Sequence, residues 1–237
     1  MPPEPDLPLI HQRNYEVKAY RQTPTELRLR GTVRDQKPAG IYFDDDQPLT
    51  VHHMIVDLVI SFPALEILEV DVVLETHPHD HCASIEDHYQ KLVGLSIARG
   101  FSRHVKDLFG GPRGCTHVGA LLQAMAPVAI QSTWSMRAAN EGAVAVKIDR
   151  SQGEAGMREA LRFNLDTCHI WAEDGEMVAK VRAGEDIPPP VWAAKRLAEL
   201  GLDPGDWSRI RSGEEPAPAG APVTAPGGDP GGPGLDT

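Results

Sequence analysis

The sequence predicts an α+β fold: an antiparallel sheet packed against a small group of helices, followed by a disordered C-terminal tail. Three observations carry the prediction. Segments in the first third of the chain alternate apolar and polar residues with the period of a half-buried strand. After Cys82 the apolar residues recur at helical spacing instead. The last stretch, from Gly213, is Pro/Gly/Ala-rich and has almost no apolar residue able to anchor it.

The opening residues 1–10 contain several prolines and are expected to form an extended arm, with one α+β domain over 11–185. In Thr25–Asp35, Leu27, Leu29 and Val33 alternate with charged residues, so Arg28 and Arg30 point to solvent. Pro38, Gly40 and the Asp44–Asp46 triplet are turn chemistry. Val51–Ile60 is a second strand. Its even positions, His52, Met54, Val56, Leu58 and Ile60, form the core face, which makes His52 the inward histidine and leaves His53 and Asp57 on the other face. A third strand runs to Thr76 with Leu68, Val70, Val72 and Leu74 inward, and the short Ser61–Ala64 connection requires an antiparallel pair.

Helical spacing follows in Ile85, Tyr89 and Leu92, then in Ile97, Phe101, Val105 and Leu108. A third helix begins after the Gly110–Gly114 loop, with Val118, Leu121, Leu122 and Met125 on one face and Pro127 expected to kink or end it. Val144–Ile148 is expected as a short strand, and Thr167–Arg182 as a hairpin closed at Asp174-Gly175. A short helix lies between Pro188 and Gly201, within an extension spanning 186–212, and residues 213–237 form the tail.

Composition narrows the function classes. Hydrophobic residues are 41% of the 237, enough for a real core, while aromatics are only 5%, so that core is aliphatic. With 34 acidic against 23 basic residues the net charge is -11, which repels phosphate backbones and anionic lipid. No nucleic-acid or membrane partner is therefore expected, and an accessory role would have a basic protein dock on the acidic loop or tail. The start has no basic residue ahead of an apolar stretch, and no apolar run approaches the length of a membrane span, so the expected location is the cytoplasm. Three cysteines at long spacings do not form the disulfide framework of a secreted domain. They read instead as core thiols, metal ligands or reactive groups.

The conspicuous His77-Pro78-His79-Asp80-His81 segment is one residue short of the His-x-His-x-Asp-His spacing of metallo-β-lactamase-fold hydrolases, and reads as an exposed turn. Cys115 is more informative. It sits at a helix start, where unpaired N–H groups and the helix dipole favour a thiolate, with Arg113 before it and His117 two residues on. Cys168 lies on the expected hairpin, inward on its face, and Cys82 lies where a strand gives way to a helix. Zinc takes four Cys or His ligands, and Cys82, Cys115 and Cys168 with His117 or His52 supply such a set, although the close Cys-x-x-Cys pair usual in zinc sites is missing.

The chain resembles a bacterial family of unknown function, DUF2889, over roughly His11 to Arg182. The resemblance is carried by HQRNYEVKAYRQ, GTVRDQKP, VHHMIVDL, Cys82 followed by Tyr89, LVGLSIARGF, GCTHVGALL, the Gln131 region and TCHIWAEDG. It implies a recurring pattern at His52-x-Met54, Cys82, Gly114-Cys115-Thr116-His117 and Cys168, without an established activity. Three functions stay open: a zinc-binding domain, structural or catalytic; a metal-free enzyme with Cys115 as nucleophile and His117 or His52 as base; and a non-catalytic accessory protein.

Overall fold

The computed structural model describes residues 3–141, 153–161, 164–185 and 187–212. The chain divides into two compact units, Met1–Gly142 and Ala143–Thr237.

The first unit is built on an antiparallel meander in the order β1-β2-β3-β4, formed by β1 (Gln12–Thr23), β2 (Glu26–Lys37), β3 (Leu49–Ser61) and β4 (Ile67–Thr76). Pairing of Leu27 with Ile60, Leu29 with Leu58 and Val33 with Met54 places the inward residues of β2 and β3 in register. All six are essentially fully buried. Across this face lies α2 (Thr116–Glu141), whose buried Val118, Leu121, Leu122, Met125 and Ala129 recur at helical spacing. Gly31 lets strand and helix approach: a Cβ there would meet Met125 Sδ at 2.7 Å and Leu121 Cδ1 at 3.1 Å. A 3₁₀ segment, Cys82–Leu92, packs along β4, where the Glu86 carboxylate accepts from Leu74 N–H at 2.6 Å. Next, α1 (Phe101–Phe109) buries Phe101, Val105 and Phe109. The α+β class and the antiparallel sheet packed on helices are as expected.

Four local expectations are corrected. β1 is a full strand, although the first strand is expected only from Thr25. Nearly every β1 side chain is exposed, so the ladder to β2 holds it and no buried face marks it in the sequence. Leu68 points out, because the β3–β4 register shifts between Val59 and Ile60 and leaves Leu68 in the bulge, with Ile67 buried in its place. Of the two outcomes expected at Pro127, a kink or an end, the end does not occur; α2 continues to Glu141. Apolar burial on both sides of the proline, by Met125 and Ala129, outweighs the roughly 3 kcal/mol that an interior proline costs.

The expected hairpin at Thr167–Arg182 is helical, with a 3₁₀ turn at His169–Trp171 and a helix at Glu176–Ala183. Gly175 serves as the cap of that helix, and Val178 and Val181 are buried at helical spacing, a period that overrides the Asp-Gly turn signal. Cys168 and His169 consequently lie on no strand, and the alternation argument for an inward Cys168 fails.

The second unit comprises α3 (Gly153–Leu161), α4 (Glu176–Ala183), α5 (Val191–Glu199) and α6 (Trp207–Ser212). Met157, Leu161 and Val181 form its core, joined by Leu165, Trp171 and Ile187. The helix expected between Pro188 and Gly201 is α5. The strand expected at Val144–Ile148 and the tail 213–237 lie outside the described residues. Among the described residues no helix is long and apolar enough to cross a membrane.

Candidate metal centre

The inward face of β2 does not stop at Val33. Alternation carries it to Asp35, which is 2% exposed. Register places Arg13 of β1 and His52 of β3 opposite Asp35, on its two sides. Three polar residues thus form a row across β1, β2 and β3, at the end of a face that on β2 and β3 is otherwise without polar side chains. The first turn of α2 adds His117 above them.

Asp35 is the hub. Arg13 donates to it twice, Nε to Oδ1 at 2.5 Å and Nη2 to Oδ2 at 2.6 Å. His117 Nε2 lies 3.0 Å from Oδ2, His52 Nδ1 3.3 Å from the same oxygen, and His11 Nε2 3.8 Å from Oδ1. The Arg13 guanidinium, reinforced by His117, holds the carboxyl well below the usual carboxylate range despite its burial. Asp35 in turn raises the Arg13 guanidinium. The rings of His52 and His117 stack with centroids 4.0 Å apart. Burial, then the neighbouring His117, pushes His52 down, so its neutral form is favoured. Its Nδ1 is buried and has no hydrogen bond.

Local packing fixes the start of α2. Gly114 sits where a Cβ would meet the Phe109 carbonyl oxygen at 2.5 Å. The following Cys115 N–H donates to the hydroxyl of the fully buried Tyr89 at 2.8 Å, while the Cys115 carbonyl accepts from Gly119 N–H at 2.9 Å. Burial pushes the Tyr89 phenol up to about 12, so it stays neutral. Cys115 Sγ lies 3.8 Å from His117 Nδ1. The imidazole of His117 therefore bridges a thiol and a carboxylate.

Among the described residues, Asp35, His52 and His117 are the group of three or more ligand-type side chains whose donor atoms all lie within 4.8 Å of one another. Tetrahedral zinc with bonds of about 2.0–2.2 Å sets its ligand atoms roughly 3.3 Å apart. The separations from Asp35 Oδ2 are 3.0 and 3.3 Å, close to that spacing, and the two imidazole nitrogens lie within 4.8 Å of each other.

The structure thus brings two of the five residues singled out from the sequence into the donor group, His52 and His117, and sets Cys115 beside them but outside it, its Sγ 3.8 Å from His117 Nδ1. Cys82 is half-buried at the start of the 3₁₀ segment and does not belong to the group. Cys168 is exposed at the cap of a 3₁₀ turn in the second unit. The His77–His81 stretch is a turn in which His79, Asp80 and His81 are exposed, as its spacing predicted. Asp35 was missed. Its signal was present, since one further step of the Leu27, Leu29, Val33 alternation puts a carboxylate on the core face.

Comparison with known families gives a match to the family described as a protein of unknown function, DUF2889, over residues 11–131. That span contains Arg13, Asp35, His52, Cys82, Tyr89, Cys115 and His117, and ends before Cys168. No curated protein and no solved structure matches.

Proposed function

We propose that this chain, which belongs to the DUF2889 family of proteins of unknown function, binds a divalent transition-metal ion, zinc foremost, through Asp35 Oδ2, His52 Nδ1 and His117 Nε2. The observation that carries this reading is the convergence of two imidazole nitrogens on one buried carboxylate oxygen, one of those nitrogens being buried without a hydrogen bond. Two imidazoles and a carboxylate suit zinc or ferrous iron better than calcium or magnesium, which prefer all-oxygen sites.

Three protein donors leave a coordination position for water or a ligand. That makes the centre one for Lewis-acid or hydroxide chemistry rather than a closed structural site. Cys115 then faces the outer nitrogen of His117. A metal bound at Nε2 leaves the ring proton on Nδ1, directed at Sγ, which fixes the tautomer as outer-shell partners of metal-bound histidines do.

Metal analysis of tag-free protein, purified without added metal, tests the reading. Close to one equivalent of zinc or iron is expected, lost in His52→Ala and His117→Ala. Protein that is metal-free and takes up no zinc on reconstitution refutes it.

A second reading is favoured by one specific geometry, the Cys115 Sγ–His117 Nδ1 contact at 3.8 Å continued by His117 Nε2–Asp35 Oδ2 at 3.0 Å. This is the nucleophile, base and orienting carboxylate of covalent catalysis. Metal-free protein whose Cys115 reacts rapidly with iodoacetamide at neutral pH, and slowly in His117→Ala, selects it over the metal.

A further inference from the structure

The end of the sheet that carries Asp35 and His52 is also where two segments with exposed apolar side chains leave it. The arm ahead of β1 runs directly into His11, whose ring is 3.8 Å from Asp35. The loop from β2 to β3 departs after Lys37, just past Asp35, and returns at Leu49, just before His52. In the described part of the first unit the most exposed large apolar side chains are Leu7, Ile10, Tyr42, Phe43 and Leu9, from 75% down to 57% exposed, and all of them lie on these two segments. Scattered single apolar residues are ordinary on a surface; these five are instead gathered on the two segments that adjoin the polar centre along the chain.

Charge decides what binds there. Asp35 is the one carboxylate of the ligand group, and Arg13 already neutralises it. A divalent ion held by neutral imidazoles would therefore keep its full charge, and the open position would take an anionic oxygen donor. Directly after Phe43 come Asp44, Asp45 and Asp46, whose charge would oppose a second negative charge on a ligand body lying along this loop.

We infer that the centre's ligand is a monocarboxylate with an apolar alkyl or aryl body, its carboxylate completing the metal's coordination and its body lying against the arm and the Ile41–Phe43 loop. This rests on the metal reading above. The added elements are the head group, the apolar body and the loop that receives it.

Calorimetric titration of the zinc-loaded full chain with octanoate, acetate and octanedioate tests the inference, with bound zinc measured on the same samples. Octanoate is expected to bind at least tenfold more tightly than either of the other two. The Tyr42→Ser/Phe43→Ser double variant should retain its zinc and bring octanoate to within about threefold of acetate. The zinc-free chain should bind octanoate at least tenfold more weakly than the loaded one. Zinc bound at one equivalent with no preference for octanoate, or with a preference untouched by the double variant, overturns the inference and leaves the metal reading standing. Failure to bind zinc overturns both.

Discussion

Replacing Asp35 by Asn, alone and together with Arg13→Gln, measures the interaction on which the centre's geometry depends. The carboxylate is 2% exposed and accepts two bonds from Arg13, at 2.5 and 2.6 Å, plus one from His117 at 3.0 Å. An amide of the same shape keeps one acceptor oxygen and turns an NH₂ toward groups that are themselves donors. Bonds to charged partners contribute about 1.5–3 kcal/mol each, and the half-exposed guanidinium calls for a discount. The expected loss for Asp35→Asn is about 2 kcal/mol, or about 4–8 °C in Tm for a chain of this size. The coupling in the cycle with Arg13→Gln should be about 1.5 kcal/mol.

The pH dependence has a definite sign. The folded state holds the Asp35 carboxyl below its unfolded value of 3.8, so its stabilisation is complete above about pH 4 and is lost as pH falls through the depressed folded value. Urea melts should show the gap between the parent and Asp35→Asn narrowing by about 1 kcal/mol from pH 6 to pH 3. A coupling under about 0.5 kcal/mol, the range of exposed ion pairs, or a gap that does not change with acid would refute the argument.

Gly31→Val forces two branches into the space of Met125 and Leu121, so it should cost about 1–3 kcal/mol by urea denaturation; a neutral outcome would mean that β2 and α2 can separate freely. Tyr89→Phe removes the acceptor of the Cys115 N–H and should cost about 1–2 kcal/mol near neutral pH. Burial raises the Tyr89 phenol from 10 to about 12, so the parent should lose stability from about pH 10 to 12 while Tyr89→Phe loses less; parallel alkaline curves count against the buried neutral phenol. Zinc uptake should be unchanged in Cys82→Ser and Cys168→Ser and about tenfold weaker in Cys115→Ser, where the outer partner of His117 is altered. Equal losses in all three would restore a sulfur-ligated site.

The sheet was legible wherever a strand buries one face. β2, β3 and most of β4 announce themselves by alternation, and the same alternation correctly turned His52 toward the helix. β1 was illegible for the complementary reason: QRNYEVKAYRQT buries almost nothing, and its evidence is the ladder to β2, which no local pattern records. At Gly175 the same Asp-Gly dipeptide that closes hairpins instead precedes a helix, and only the Val178–Val181 spacing distinguishes the two. Cys115 and His117 were found because helix-start chemistry is local. Asp35 depends on strand register, and its partners Arg13, His52 and His117 come from three other elements.

That dependence bears on what the metal would do for the protein. A site made of Cys82, Cys115, Cys168 and a histidine would have stapled distant segments, and its loss would unfold them. The Asp35 centre staples nothing that the core does not already hold. Leu29, Val33, Met54, Val56 and Leu58 are buried against Val118, Leu121 and Met125 without it, and Arg13 compensates the carboxylate in the absence of an ion. Chelation should therefore leave the far-ultraviolet spectrum unchanged and lower Tm only by mass action, about 2.7 kcal/mol of stabilisation when free zinc is a hundredfold above its dissociation constant. Unfolding of the chain on chelation would contradict this and assign the ion a structural role.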